Sequence, residues 1–294
     1  MDGILVINKP AGYTSHDCIA VLRGITGIRK LGHTGTLDPN ATGVLPVCMG
    51  KATKLIEYMD AGFKSYRAGI RFGTETDTQD IWGKELERTG SAALPASFKE
   101  VAEALGAFLG EQLQTPPAYS AVFVNGRRAY DIARSGGTPE LEARKITVSS
   151  IELLSYDPEK GEGVFDISCS RGTYVRTICS DLGKKLGCGA CLCSLVRTSA
   201  CGFTLSEALD LEDARNMPRE EVLARVLPIG RAASEMQRLE LKEELAKAYM
   251  NGMTVKTDPK GYVQGEPVAV FINGELSGIS RFERDSLRPI KIFS

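Results

Sequence analysis

The hydrophobic positions of the first 230 residues alternate between strand-like runs and helix-like spacing. An apolar run over residues 3–8 predicts a strand, and Ile19, Leu22 and Ile25 follow Thr14-Ser15 at helical spacing. The same patterns predict strands at 63–72, 119–124 and 165–169, helices at 51–59, 97–109, 127–134 and 173–186, a charged helical segment at 204–227, and an ordered loop rich in Gly, Thr and Pro at 32–50. Thr173 is the predicted cap of its helix.

The pattern of predicted elements changes after Leu227-Pro228. A helix near 240–250 is followed by short strands at 268–272, 276–282 and 290–293, and Asn273-Gly274 predicts a hairpin between the first two. This change places a domain boundary near residue 230. We expect a domain over residues 1–230 and a smaller β-rich domain over residues 231–294.

Composition and charge narrow the class of protein. The chain has 294 residues, 43% hydrophobic and 25% charged, which is ordinary for a globular protein and excludes collagen, coiled coil and disorder. A net charge of -1 argues against purely electrostatic binding of nucleic acid, although a local basic face remains compatible with it. The apolar runs are too short to span a membrane and the N-terminus lacks a basic region, so we expect a cytoplasmic protein.

Eight cysteines raise the question of a metal or a disulfide framework. The pattern Cys188-x-x-Cys191-x-Cys193 suggests zinc, but it lacks a second CxxC, and the chain has only two histidines. A disulfide scaffold would be a shorter, secreted chain. We therefore expect reduced thiols, with the cluster serving as small apolar residues in a buried segment, and no metal.

Three segments carry candidate chemistry. The densest is residues 32–43, which contains Asp38-Pro39; on local pattern alone this is a turn in which the Asp bonds its own backbone. Residues 170–176 join a strand to a helix N-terminus, where Tyr174 and Arg176 would stabilise an anion. The third is Tyr66, a tyrosine among basic residues on a strand. Each segment alone also has an ordinary structural interpretation.

Taken together, ordered motifs over residues 3–203 resemble the bacterial tRNA pseudouridine synthase B family. The matching segments are Lys9-Pro10-x-Gly12-x-Thr14-Ser15, the run from Gly32 to Pro39 with Ala41-Thr42-Gly43 and Leu45-Pro46, Lys64-x-Tyr66, Phe72-Gly73-x-x-Thr76-Asp77-Thr78-x-Asp80, Gln114-x-Pro116-Pro117-x-x-Ser120-Ala121-Val122, Gly126-x-x-x-Tyr130-x-x-Ala133-Arg134, Cys169-Ser170-x-Gly172-Thr173-Tyr174-x-Arg176 and Asp181-Leu182-Gly183.

The resemblance implies an α+β fold: a catalytic domain on a mixed, largely antiparallel sheet flanked by helices, and a small β-rich, PUA-like RNA-binding domain. It implies an enzyme that isomerises uridine-55 in the TΨC arm of tRNA to pseudouridine. The partner is therefore the TΨC stem-loop of tRNA. We expect a monomer that requires no protein partner and does not bind a membrane.

The resemblance also assigns the site residues. Asp38 is the nucleophilic aspartate, Tyr66 packs on the flipped base, and Arg176 pairs with the catalytic carboxylate. His33 enters the opened RNA loop, and Tyr174 and Leu195 line the uridine pocket. Because the reaction exchanges a C–N for a C–C bond without net redox change or hydrolysis, we expect no cofactor. Whether Asp38 attacks the ribose C1′ or the base C6, or Tyr66 helps to remove a ribose proton, stays open.

Three positions depart from the family pattern. Phe123 stands where Lys is common, Val196 where a basic residue is common, and Cys191 where His is common. The first two remove possible phosphate or ion-pair contacts, so Arg127, Arg128, Arg171 and Arg197 remain as RNA-contact candidates. Two other functions compete: a tRNA-binding chaperone with incidental activity, and the guide-RNA-dependent synthase of archaea and eukaryotes. The neutral charge and an insertion around residues 74–112 favour the stand-alone bacterial type.

Overall fold

The computed structural model of the chain describes residues 1–59, 62–88, 90 and 94–293. The strands are β1 (Gly3–Lys9), β2 (Leu31–His33), β3 (Thr42–Met49), β4 (Lys64–Phe72), β5 (Thr74–Thr76), β6 (Glu85–Arg88), β7 (Gly110–Gln114), β8 (Phe123–Val124), β9 (Arg127–Arg128), β10 (Arg144–Asp157), β11 (Glu162–Cys169), β12 (Ala190–Ala200), β13 (Phe203–Thr204), β14 (Leu209–Asp210), β15 (Gln237–Glu240), β16 (Val255–Lys256), β17 (Pro267–Ile272), β18 (Glu275–Glu283) and β19 (Ser286–Ile292). The helices are α1 (Ser15–Thr26), α2 (Ile56–Met59), α3 (Phe98–Gly106), α4 (Ala129–Arg134), α5 (Val175–Lys185), α6 (Leu211–Asn216), α7 (Arg219–Ala224) and α8 (Glu243–Met250).

The chain divides into two compact units. The first comprises Met1–Pro39, Gly43–Gly62 and Ala200–Ser294, and the second comprises Asn40–Thr42 and Phe63–Ser199. The first unit therefore takes in residues on both sides of position 230. The predicted domain boundary near that position remains a prediction.

In the first unit, β1 lies between β3 and β14. β3 runs antiparallel to β1, with Gly3 opposite Met49 and Lys9 opposite Gly43, while β14 runs parallel to it. β1 is buried along almost its whole length, which is typical of a strand covered on both faces. The position of Lys9 at the end of this strand matters for the site described below.

Helix α1 begins directly after Thr14, where the sequence predicts a helix, and ends at Thr26. The Thr14 hydroxyl accepts from the backbone N–H of Asp17, and the Asp17 carboxylate accepts from the backbone N–H of Thr14, so the two form a capping box. The Thr14 hydroxyl also donates to the Asp17 carboxylate at 2.7 Å, and this hydrogen bond, followed by the one from the Thr14 backbone N–H, lowers the pKa of Asp17. Gly27 ends the helix in the left-handed region at φ 70°.

A second sheet of the first unit lies at the end of the chain, in the order β15-β17-β18-β19-β16. Asn273 and Gly274 have φ of 52° and 79°, as a two-residue turn of mirror-image type requires, so the predicted hairpin is confirmed. Phe271 and Ile279 of this sheet belong to the same hydrophobic cluster as Ile4 of β1. The β-rich C-terminal part thus shares a core with the first strand of the chain.

In the second unit, neighbouring strands follow the order β12-β4-β11-β10-β7. β4, β11, β10 and β7 pair antiparallel, and α3 and α5 pack against β10 and β4 respectively. Along β11 buried and half-buried residues alternate, as predicted for residues 165–169. The expected α+β class, with a mixed and largely antiparallel sheet flanked by helices and a β-rich C-terminal part, is confirmed.

Three predicted elements are wrong. Of the strand predicted at 119–124, only Phe123–Val124 forms a strand. Residues 42–49 form β3 rather than a loop, because Val44, Leu45 and Val47 are fully buried and this burial outweighs the weak strand propensity of the Gly and Pro residues. The predicted helical segment at 204–227 is broken: residues 209–210 form β14 beside β1, and Pro218 separates α6 from α7.

Candidate active site

Asp38 lies on the segment that joins β2 to β3, and its side chain is exposed. The carbonyl of the next residue, Pro39, accepts from the Lys9 ammonium at 2.8 Å and from the Gly12 backbone N–H at 3.0 Å. Lys9 is fully buried and also donates to the carbonyls of Pro10 and Tyr13. Three carbonyl acceptors satisfy the three N–H bonds of the ammonium, which makes its burial tolerable.

The residue on the other side of Asp38 is held by the start of α1. The backbone N–H of Leu37 donates to the hydroxyl of Ser15 at 3.0 Å, and Ser15 is buried. Both backbone neighbours of Asp38 are therefore tied to residues 9–15. The first motif in the sequence thus positions the segment that carries the predicted nucleophile.

His33 is half-buried at the end of β2. Its ring lies edge-on to the ring of His16, with centroids 5.1 Å apart and planes at 90°. The backbone N–H of Thr34 donates to the carbonyl of Pro46 at 3.1 Å. His33 and Asp38 thus stand at the two ends of one short segment of the first unit.

Arg176 is one of three buried cations of the second unit among the described residues, with Lys64 and Arg197, and has 5% of its surface exposed. Its guanidinium donates to the carbonyls of Thr78 at 2.8 Å and Tyr119 at 3.1 Å, and lies 4.0 Å from the Asp80 carboxylate. Asp80 in turn accepts from the Thr78 hydroxyl at 2.7 Å. These contacts hold the planar guanidinium in one orientation.

Tyr174 immediately precedes α5 and occupies the cap position, so the prediction that Thr173 caps this helix is wrong. The buried side chain of Gln114 accepts from the Tyr174 backbone N–H at 2.8 Å and donates to its carbonyl at 3.1 Å. The side-chain amide of Gln114, distant in the sequence, thus takes the place of the Thr173 hydroxyl that was expected to bind the start of the helix. Sequence reasoning assigned no role to Gln114, because its partner lies 60 residues away along the chain.

The remaining predicted residues lie on the sheet of the second unit. Tyr66 is half-buried on β4 opposite Ile167 of β11, and Leu195 is buried on β12. The second unit therefore holds Tyr66, Tyr174, Arg176 and Leu195, and the first holds His33 and Asp38. A cavity of about 510 Å³ beside β1 and β14 in the first unit is lined by none of these six residues.

The cysteines of the zinc hypothesis lie in or next to β12. Cys188 and Cys191 are buried and Cys193 is half-buried, and burial raises the thiol pKa of Cys191 to about 11. Among the described residues, no group of three or more His, Cys, Asp or Glu side chains is placed to hold a metal ion. No helix in the same part of the chain is long and apolar enough to cross a membrane.

Comparisons with known proteins define the class. The model of the "TruB family pseudouridylate synthase (N terminal domain)" matches residues 23–175, and that of the "tRNA pseudouridylate synthase B C-terminal domain" matches residues 176–233. The tRNA pseudouridine synthase B of Alkaliphilus oremlandii is 39% identical over 99% of this chain and 97% of its own length. That of Levilactobacillus brevis is 39% identical over 100% and 99%.

Solved structures share the fold. A chain of a Cbf5-Nop10-Gar1 complex superposes with a TM-score of 0.77 at 23% identity, covering 99% of this chain and 84% of its own length. A chain of an H/ACA RNP bound to a substrate RNA containing 2′-deoxyuridine gives 0.75 at 21%, covering 99% and 85%. The chain thus shares the fold of both of these solved chains. By its sequence, the chain belongs to the TruB family of pseudouridylate synthases.

Proposed function

We propose that this chain isomerises uridine-55 in the TΨC arm of tRNA to pseudouridine. The observation that carries the proposal is the double anchoring of the Asp38 segment, since Lys9 and Ser15 hold the residues on either side of this exposed carboxylate. A reacting group must be held in a defined geometry before the substrate binds. Family membership and full-length relatives named tRNA pseudouridine synthase B support the same reaction.

In this proposal Asp38 acts as the nucleophile and Arg176 keeps it ionised. A carboxylate forms a covalent intermediate only while it carries its negative charge, and a neighbouring guanidinium favours the charged form. The fixed orientation of Arg176, set by the carbonyls of Thr78 and Tyr119, supports this role. Asp80 shares the same guanidinium and so adds a positioning carboxylate to the proposed set.

The target base is stacked inside the folded T arm, so it has to be flipped out before it reacts. Flipping costs a few kcal/mol of stacking and pairing. We assign His33 to the space that the base leaves and Tyr66 to a face of the flipped base, because aromatic rings replace lost stacking. Tyr174 and Leu195 line the uridine pocket in this assignment.

The reaction needs no redox partner, no hydrolysis and no phosphoryl transfer, so the proposed enzyme works without cofactor or metal. We propose further that it acts as a monomer in the cytoplasm without a protein partner. Residues 231–294 are proposed to be a PUA-like RNA-binding domain. These assignments follow the resemblance to the stand-alone bacterial family.

The decisive experiment incubates the full chain with an unmodified tRNA transcript and maps pseudouridine. The wild type should convert position 55, and Asp38→Asn should bind the transcript but fail to convert it, because the amide is nearly isosteric but is not an anionic nucleophile. Asp213→Asn removes another exposed carboxylate of the first unit and should keep wild-type activity. Clear conversion by pure Asp38→Asn would refute the assignment.

The same assay separates the enzyme from a tRNA-binding chaperone. Under single-turnover conditions with enzyme in excess, a chaperone with incidental activity would bind the transcript without stoichiometric conversion. A guide-dependent synthase would convert nothing until a guide RNA was added. Conversion of one uridine per transcript by the protein alone is the expected result.

A further inference from the structure

Phe123 is a large apolar side chain that lies mostly outside the hydrophobic core. With 63% of its surface exposed, it exceeds the other exposed Phe and Trp side chains of the described residues, Phe63, Trp82 and Phe98. The family resemblance described in the sequence analysis also implies that Lys is common at this position. An exposed aromatic ring that contributes little to the core is a candidate contact for a partner.

The ring is held in a defined orientation by a short hairpin. β8 and β9 are joined by Asn125 and Gly126, whose φ of 50° and 81° suit a tight two-residue turn. Phe123 stands directly opposite Arg128, and the Arg128 guanidinium lies 4.8 Å from the centre of the ring. This cation–π contact covers one face of Phe123.

The hairpin is connected to the candidate active site. The backbone N–H groups of Ala129 and Tyr130 donate to the carbonyls of Val122 and Ser120, which closes the base of the hairpin. The Tyr119 carbonyl, one residue further, accepts from Arg176. The base of the hairpin and the Arg176 guanidinium are therefore bonded to adjacent residues, Ser120 and Tyr119.

We propose that Phe123 is a stacking platform for an unpaired base of the RNA substrate. The proposal rests on the proposed function and extends it to a residue that departs from the family pattern. An aromatic ring with a guanidinium on one face offers its other face to a base, and the charge remains available to a phosphate.

The charges around the ring favour RNA over a protein surface. Arg127 is exposed beside Arg128, and Arg134 lies 5.4 Å from the centre of the Tyr130 ring on the helix that follows. Asp131 is the acidic residue of this helix. Residues 123–134 thus carry three guanidinium groups and two aromatic rings. In an RNA loop, guanidinium groups bind phosphates and aromatic rings stack on bases.

The first test measures the affinity of the full chain for an unmodified tRNA transcript at several salt concentrations. Phe123→Ala and Phe123→Leu should both weaken binding by about 5- to 100-fold without changing the salt dependence, because stacking is an uncharged contact. Phe123→Tyr keeps the ring and should bind as the wild type does. Phe98→Ala, which removes a ring that is 46% exposed on α3, is the matched control and should have no effect.

The second test reports stacking directly. The chain has one tryptophan, so Phe123→Trp in a Trp82→Phe background gives a single fluorophore at the hairpin. Addition of transcript should quench its emission, while Phe98→Trp in the same background should not respond.

Four outcomes would overturn the inference. If Phe123→Ala binds the transcript with wild-type affinity, Phe123 does not contact the RNA. If Phe123→Leu binds with full affinity, the contact is apolar packing and not stacking. If the emission of Trp at position 123 does not respond to the transcript, stacking is excluded. A concentration-dependent dimer abolished by Phe123→Ala would indicate a second copy of the chain as the partner. If any of these occurs while the wild type still converts uridine, the inference fails and the proposed function stands.

Discussion

At the scale of single residues, two of the buried cations, Lys9 and Arg176, hold segments of the candidate site in place. Lys9 and Arg176 are almost entirely buried, and each donates to backbone carbonyls of a segment that carries proposed site residues. A buried charge without such partners would cost several kcal/mol. These cations therefore fix the geometry of the backbone around them. The Lys9 ammonium donates from one nitrogen to three carbonyls, whereas the Arg176 guanidinium bridges two carbonyls and a carboxylate.

Arg176→Lys tests the orientation of the guanidinium. Lys keeps the charge but carries its donors on one nitrogen, in place of the planar fork that spans the carbonyls of Thr78 and Tyr119, so the single-turnover rate should fall by orders of magnitude. The affinity for tRNA and its salt dependence should change little. The exposed Arg171 is the matched control, since Arg171→Lys should leave the rate intact. A loss of affinity with an intact rate at saturation would make Arg176 an RNA contact instead.

At the scale of elements, β11, α5 and β12 each carry a buried thiol. Cys169, Cys179 and Cys191 are buried, and burial raises the pKa of Cys169 and Cys191 to about 11 from an ordinary value of about 9. Only the thiolate is a good nucleophile or metal ligand. These thiols are therefore kept neutral at physiological pH and pack as small apolar groups.

The raised pKa of Cys191 predicts a stability that falls at high pH. Because the folded value lies above the unfolded one, the stabilisation is complete below pH about 9 and is lost as the pH rises toward about 11. The loss is up to ~1.4 kcal/mol per pH unit for each such thiol. Urea unfolding at pH 8 and pH 10.5 should show a smaller fall for Cys191→Ala than for the wild type.

Ser194→Ala is the control on the same strand, because Ser194 is exposed and does not titrate in this range. It should show the pH dependence of the wild type. Identical pH dependence in Cys191→Ala would mean that the thiol ionises equally in the folded and unfolded chain.

At the scale of the first unit as a whole, the two ends of the chain share one hydrophobic cluster. Phe271 packs in it with Ile4 of the first strand, and the Arg238 guanidinium lies 3.9 Å from the centre of the Phe271 ring. A C-terminal part built this way contributes to the stability of the strands beside the Asp38 segment. Its contribution to RNA binding is thus measured best in the intact chain.

Phe271→Ala should destabilise both ends together. Truncation of a buried Phe costs about 3–5 kcal/mol, and because the core is shared, amide hydrogen exchange should accelerate in β1 as well as in β18. Ile290→Ala, at a position 41% exposed, should have little effect. Acceleration confined to the C-terminal sheet would show that this part unfolds independently of the first strand.

Local patterns were sufficient for elements whose signals lie within a few residues. The helix after Thr14-Ser15, the Asn273-Gly274 hairpin and the strand at 165–169 depend on neighbours in sequence, and all three are as predicted. The segment at 32–50 was misjudged because its strand forms only by pairing with β1 and by burial. The cap of α5 was misjudged because its partner, Gln114, lies on a distant strand.

By itself, the sequence determined the α+β class, most elements and, through ordered motifs, the family. Those features are encoded in periodicity and in residue order, which are visible without any fold. Only the tertiary structure decided how Lys9 and Ser15 hold both neighbours of Asp38, that Asp80 shares the guanidinium of Arg176, and that Arg128 covers one face of Phe123. The Lys9, Ser15 and Asp80 contacts join residues between 22 and 96 positions apart, and the Arg128 contact joins two paired strands. Their geometry therefore exists only once the sheets and helices have packed.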